Sequence, residues 1–110
     1  MTIKLSKVQR ALKDSELDAL MLLKPANVRY AVGFRSGLVL VSKEDAILFV
    51  PEVDFVEACE NVSCCEIKKV EAWENWLVEV QRELKGRHLN MVGIDQGVSP
   101  RTLSQLTKLS

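Results

Sequence analysis

Leu38-Val39-Leu40-Val41-Ser42-Lys43-Glu44-Asp45-Ala46-Ile47-Leu48-Phe49-Val50 decides the fold. Two apolar runs of strand length, Leu38–Val41 and Ala46–Val50, flank the polar connection Ser42–Asp45. A connection this short, between runs rich in branched aliphatic residues, implies an antiparallel hairpin.

Upstream of the hairpin lies Gly33-Phe34-Arg35-Ser36-Gly37, a compact loop. Asn27–Val32 before it suits one or two helical turns, with Asn27 as a candidate N-cap and Gly33 as the stop. Leu17–Leu23 is apolar except for Asp18 and is closed by Lys24-Pro25, so it reads as a buried strand. Its near-continuous apolarity implies a sheet with helices on both faces. In Ile3–Glu16, Leu5, Val8 and Leu12 form one apolar stripe on a helix.

Downstream, Glu52–Glu60 reads as a short helix, with Phe55 and Cys59 on one side. Glu66–Val70 is a weaker strand pattern. Trp73, Trp76, Leu77, Val80 and Leu84 mark the clearest helix, with Gly86 expected as its C-terminal cap. Met91–Asp95 reads as a strand, and Ser99-Pro100 opens a last helix lined by Leu103 and Leu106. Helices and strands in this order predict one α/β or α+β domain over residues 1–110, with helices packed on a mixed sheet. A chain that stops inside a helical pattern is expected to be the front part of a longer protein.

Composition narrows the function classes. The 110 residues carry 15 Lys+Arg and 15 Asp+Glu, so no cationic surplus exists to bind nucleic acid by bulk electrostatics. No apolar run reaches the roughly 18 residues of a membrane span. The basic N-terminus lacks the apolar region of a signal peptide, so a cytoplasmic protein is expected. The three cysteines, Cys59, Cys64 and Cys65, are odd in number and lack the paired spacing of structural zinc sites. They read as small buried residues at a helix-to-strand turn. Asn61-Val62-Ser63 matches a glycosylation sequon, a chance match in the cytoplasm.

The candidates for chemistry are few. His88, the single histidine, sits in a polar connection without ligands at fixed spacing and reads as a surface residue. Gly33–Gly37 lacks the phosphate-loop pattern. It is either a plain turn or a device that presents the Arg35 guanidinium to a carboxylate or carbonyl, with an exposed Phe34 as pocket wall. Trp73 and Trp76 are either core or part of a contact with a second domain or subunit. Asp95, at a strand end, is a weak acid candidate. No constellation within the chain suggests catalysis or a metal site.

Asn27-Val28-Arg29-Tyr30-Ala31-Val32-Gly33-Phe34 resembles the Asn-x-x-Tyr-x-x-Gly-Phe signature of the creatinase/prolidase N-terminal domain. The hairpin after it, Leu17-Asp18-Ala19-Leu20 before it, and Val92-Gly93-Ile94-Asp95 with the following helix resemble the same family in the same order. The resemblance implies a non-catalytic, ribonuclease-H-like α/β domain, a three-layer mixed β-sheet with helices on both faces, that precedes a metal-dependent catalytic domain. Relatives act as Xaa-Pro dipeptidases (prolidases), as aminopeptidases P or on creatine. Two divalent metal ions would belong to that catalytic domain and none to this chain. The resemblance further implies a homodimer in which this domain supplies contacts and a substrate rim, with Tyr30, Phe34 and Arg35 at the matching positions. One departure stands out. Where many members carry Asp-x-Arg-Tyr, this chain has Pro51-Glu52-Val53-Asp54-Phe55. The alternative is a free-standing interaction module with the same fold and no enzymatic role.

Overall fold

The structure, a computed structural model, describes residues 4–95. The helix expected from Ser99 lies outside them. The hairpin is present as β2 (Leu38–Ser42) and β3 (Ala46–Pro51), antiparallel, with Leu38 opposite Phe49 and Val41 opposite Ala46. Its turn is closed by the Ser42 N–H donating to the Asp45 carbonyl at 2.8 Å, and by the Asp45 N–H donating to Ser42 Oγ at 3.0 Å. β1 (Ala19–Leu22) pairs antiparallel with β2. β4 (Glu66–Val70) runs parallel to β3, and β5 (Val92–Ile94) parallel to β1. The sheet order is β4-β3-β2-β1-β5.

Strand alternation sorts the hairpin residues onto two faces. Val39, Val41, Leu48 and Val50 meet the helices α1 (Leu5–Lys13), α2 (Pro25–Val32) and α3 (Phe55–Asn61), through Leu5, Leu12, Val28 and Ala58. Leu38, Leu40, Ile47 and Phe49 meet α4 (Trp76–Gly86) through Val80 and Leu84. Both faces are therefore covered, as the apolar runs require, and the architecture is the expected mixed sheet between helical layers. Phe49, Met21, Leu40 and Ile47 are fully buried, and side chains of this size contribute about 1.5–3 kcal/mol each. Among the described residues, no helix is long and apolar enough to cross a membrane.

β5 is a short strand at the sheet edge, and two carboxylates fasten it. Asp18 Oδ2 accepts the N–H groups of Asn90 and Met91, both at 2.9 Å. These bonds, Met91 first and then Asn90, hold the Asp18 carboxyl below its ordinary range. At the strand's other end, Asp95 accepts the N–H of Leu23 at 2.9 Å and of Lys24 at 2.8 Å.

Four local expectations change. Asn27 is not the N-cap of α2, because Pro25 occupies the first turn and Lys24 precedes it. Asn27 instead donates to Asp95 Oδ2 at 2.9 Å. The segment expected to be helical from Glu52 opens as a 3₁₀ turn over Glu52–Asp54. In α3 the inward residue is Ala58, with Phe55 at the margin, and Cys59 is exposed. Steps of three from Phe55 to Ala58 follow the buried stripe, and a step of four to Cys59 leaves it. Gly86 stays inside α4, and the left-handed residue is His88, with φ 57°. The His88 N–H donates to the Lys85 carbonyl and the Leu89 N–H to the Leu84 carbonyl, a Schellman ending with histidine where glycine is usual. His88 is exposed, as expected. Trp73 and Trp76 are half-buried and pack against the α4-side core.

Candidate functional site

The segment from α2 into β2 carries the candidate residues. Gly33 ends α2 in the left-handed conformation at φ 80°, with its N–H donating to the Arg29 carbonyl at 2.9 Å. A side chain at this φ would be strained, so glycine suits the position. The chain then turns Phe34 inward. At 4% exposed, Phe34 belongs to the core beneath α1–α3 and is not the exposed wall expected from its place in the loop. A large aromatic next to a helix end gains more from burial than a loop residue gains from exposure.

Arg35 points the other way, with half of its side chain exposed. Its Nη2 donates to Glu57 Oε1 at 2.8 Å, and its Nε to Glu57 Oε2 at 3.2 Å, a two-point grip on one carboxylate. Nη2 also reaches Asp54 Oδ1 at 3.2 Å. The guanidinium carbon lies 5.4 Å from the centroid of the Phe34 ring, so the buried ring forms a platform under the charge. Glu57 first, then Asp54, raises the arginine above its ordinary range, and the group is always charged. Ser36 Oγ donates to Asp54 Oδ2 at 2.7 Å. That bond first, and Arg35 second, holds the Asp54 carboxyl low against the opposing effect of burial. Gly37, at φ 95°, then brings the backbone against the Phe49 carbonyl, where a Cβ would clash. The loop is pinned to β3 at this point.

Tyr30 is 48% exposed and lies one turn before the loop, on a different wall. It edges an apolar groove of about 370 Å³ between α1 and β1, lined by Val8, Leu12, Leu17 and Leu20. Of the three sequence candidates, Arg35 and Tyr30 present side-chain surface, and Phe34 supports Arg35 from below. Sequence reasoning missed Ser36 and Glu57. Asp54-x-x-Glu57 puts two acids one helical turn apart, a signal that could have paired them with the arginine between the glycines. It also missed Arg87, whose guanidinium is gripped by Glu83 at 3.1 Å, Glu66 at 3.2 Å and Asp45 at 3.6 Å. Asp95, once a candidate acid, has its oxygens committed to Leu23, Lys24 and Asn27.

The metal question can be tested on the donor set. Among the described residues, no three His, Cys, Asp or Glu side chains converge as a metal site. The two acids beside Arg35, Asp54 and Glu57, share its one guanidinium. A two-metal centre does not fit these residues.

The sequence model of the creatinase/prolidase N-terminal domain matches residues 4–110. The chain belongs to this family. Among curated protein sequences, none matches it. Solved structures share the fold of this creatinase/prolidase N-terminal domain. An Xaa-Pro dipeptidase from Bacillus anthracis aligns with a TM-score of 0.84 at 20% identity, over 96% of this chain and 30% of that one. The prolidase from Pyrococcus horikoshii gives 0.79 at 25% identity, over 96% and 29%. A chain described as the aminopeptidase P, Xaa-Pro aminopeptidase, of Streptococcus thermophilus gives 0.83 at 20% identity, over 96% and 82%. The domain thus spans under a third of the first two of these chains and most of the third.

Proposed function

We propose that this chain is the non-catalytic N-terminal domain of a cytoplasmic Xaa-Pro dipeptidase-like metallopeptidase. In this reading it packs on a C-terminal catalytic domain that holds two divalent metal ions, and it contributes contacts to a homodimer. Its Arg35 loop forms part of the substrate rim, with Tyr30 on the neighbouring wall.

One observation carries the reading: Arg35 is a permanently charged, half-exposed guanidinium on a loop held from below and from the side. Its Nε and Nη2 are engaged, and Nη1 has no partner among the described residues. A guanidinium fixed this way can donate from Nη1 to a carbonyl oxygen of a short peptide at little cost in ordering. The family match and the shared fold with an Xaa-Pro dipeptidase supply the chemical context.

The test uses the enzyme with its catalytic domain. Arg35→Ala is expected to raise KM for Xaa-Pro dipeptides by about 10-fold or more, the value of one charge-assisted hydrogen bond, with kcat little changed. Unchanged kinetics would remove Arg35 from the rim.

A second reading, a protein-interaction module without enzymatic role, is favoured by Val53 and Val56. They are 90% and 66% exposed on the segment that also carries Asp54 and Glu57. It predicts self-association or a bound partner. A strict monomer in sedimentation that retains no partner would count against it.

A further inference from the structure

Cys64 and Cys65 join α3 to β4, and their placement is unusual for neighbours in sequence. Adjacent residues entering a strand send their side chains to opposite faces. Here the chain bends at Cys64-Cys65, and both residues line one recess of about 290 Å³. Cys64 is exposed and Cys65 half-buried, so the recess opens to solvent at one sulfur and closes around the other. The remaining wall includes Gln9 of α1, Glu44 and Asp45 of the hairpin turn, and Arg87.

The lining restricts what can enter. Glu44, Asp45 and Glu66 outnumber Arg87, which is itself bound to Asp45 and Glu66. An anion is disfavoured there by like charge. A divalent cation needs three or four converging ligands, and no such group forms among the described residues. A disulfide between adjacent residues is disfavoured by its geometry. Burial, then the charge of Cys64, pushes the Cys65 thiol up to about 12, which also disfavours chemistry that needs a free thiolate at that sulfur. What remains is an uncharged, thiophilic centre that needs only two sulfur ligands held side by side.

We propose that Cys64 and Cys65 form a dithiol binding site for trivalent arsenicals, of the class R–As(OH)₂. Two As–O bonds break and two As–S bonds form. Each thiol proton leaves with a hydroxide, so two waters are released, and arsenic stays trivalent. No oxidant or reductant is required. Exposed Cys64 reacts first, and Cys65, the next residue on the same recess, closes the ring.

Phenylarsine oxide added to the reduced chain tests this by intact mass and by thiol titration. One phenylarsenic group should bind per chain, and titratable thiols should fall from three to one, the three being Cys59, Cys64 and Cys65. The adduct should resist excess glutathione and be released by a dithiol. Cys59→Ser should behave as wild type. Cys64→Ser and Cys65→Ser should each lose about 100-fold or more in affinity, because the second bond is then no longer intramolecular. Cys64→Ser removes an exposed side chain and tests the site even if Cys65→Ser perturbs folding, which circular dichroism would report. An adduct that survives glutathione in Cys64→Ser, or one that Cys59→Ser abolishes, would overturn the assignment.

Discussion

Arg35 and Arg87 each lie within two residues of a left-handed residue at the end of a helix, and each grips more than one carboxylate. The difference lies in where those carboxylates come from. Arg35 follows Gly33 and takes both of its partners from one segment, Asp54 and Glu57. Arg87 precedes His88 and ties three elements together: Glu83 in α4, Glu66 in β4 and Asp45 in the hairpin turn. Only a third of the Arg87 side chain is exposed, against half of Arg35. An arginine that joins three elements acts mainly as a staple. One held by a single neighbouring segment keeps surface for something else. Charge and spacing in sequence look alike at the two places, and only the partners separate them.

The largest expected effect breaks the Arg35 side of the comparison at its support. Gly37→Ala puts a side chain at φ 95° and against the Phe49 carbonyl, which is backbone and cannot rotate away. A loss of about 3 kcal/mol is expected, read as a lower denaturation midpoint with an unchanged slope. A change within about 0.5 kcal/mol would show that the loop can lift off β3, and that Arg35 is not rigidly presented.

Next comes the direct contrast. Arg87→Ala should destabilise the chain by about 1 kcal/mol, because Asp45, Glu66 and Glu83 lose their shared cation. Burial pushes Glu83 up, and it stays below its ordinary range because Lys68 and Arg87 hydrogen-bond to it and add their charge. Without Arg87 that carboxyl should titrate higher. Arg35→Ala should shift the thermal midpoint by about 3 °C or less. Raising the salt concentration should narrow the gap between the two variants, since both clusters meet solvent. Equal losses from both would collapse the distinction between staple and presented charge.

The left-handed residues differ in the opposite sense. Gly33 takes its φ freely, whereas His88 takes it at a cost. His88→Gly should therefore stabilise the chain by about 0.5–1 kcal/mol in thermal or denaturant unfolding. No gain would mean that the histidine ring makes a compensating contact in solution.

These pairs also show how far the sequence could be read. The hairpin was legible because nine apolar residues around four polar ones have few other solutions, and the α4 stripe because its period matches one helix face. Arg35 was legible as a presented residue because it stands between glycines. Its partners were not, since the bend that swings Glu57 toward it belongs to a different element. Residue type and position make Asn27 look like a local cap, but its partner Asp95 is 68 residues away and meets it only once β5 has joined β1. Phe34 was read outward from its loop position, whereas the core under α2 decides its direction. Gly86 drew the cap by residue type, while the Leu89-to-Leu84 bond places it two residues later.

The smallest effect separates the two groups that hold Asp54. Ser36→Ala should raise the Asp54 carboxyl toward its ordinary value by removing the largest single influence that holds it low, and Arg35→Ala should raise it by removing a weaker hydrogen bond together with a nearby positive charge. Carboxyl chemical shifts followed through an acid titration would measure both. The sign for stability follows from linkage. A carboxyl held low in the folded chain adds stability at pH values above its unfolded pKa, and that contribution disappears as the pH falls through the folded value. Removing Ser36 should therefore flatten the acid limb of the stability curve while leaving the neutral region nearly parallel to wild type. If Arg35→Ala moves Asp54 further than Ser36→Ala does, the guanidinium is spending its charge on holding the loop. The hydrogen bond it offers to a substrate carbonyl is then correspondingly weaker.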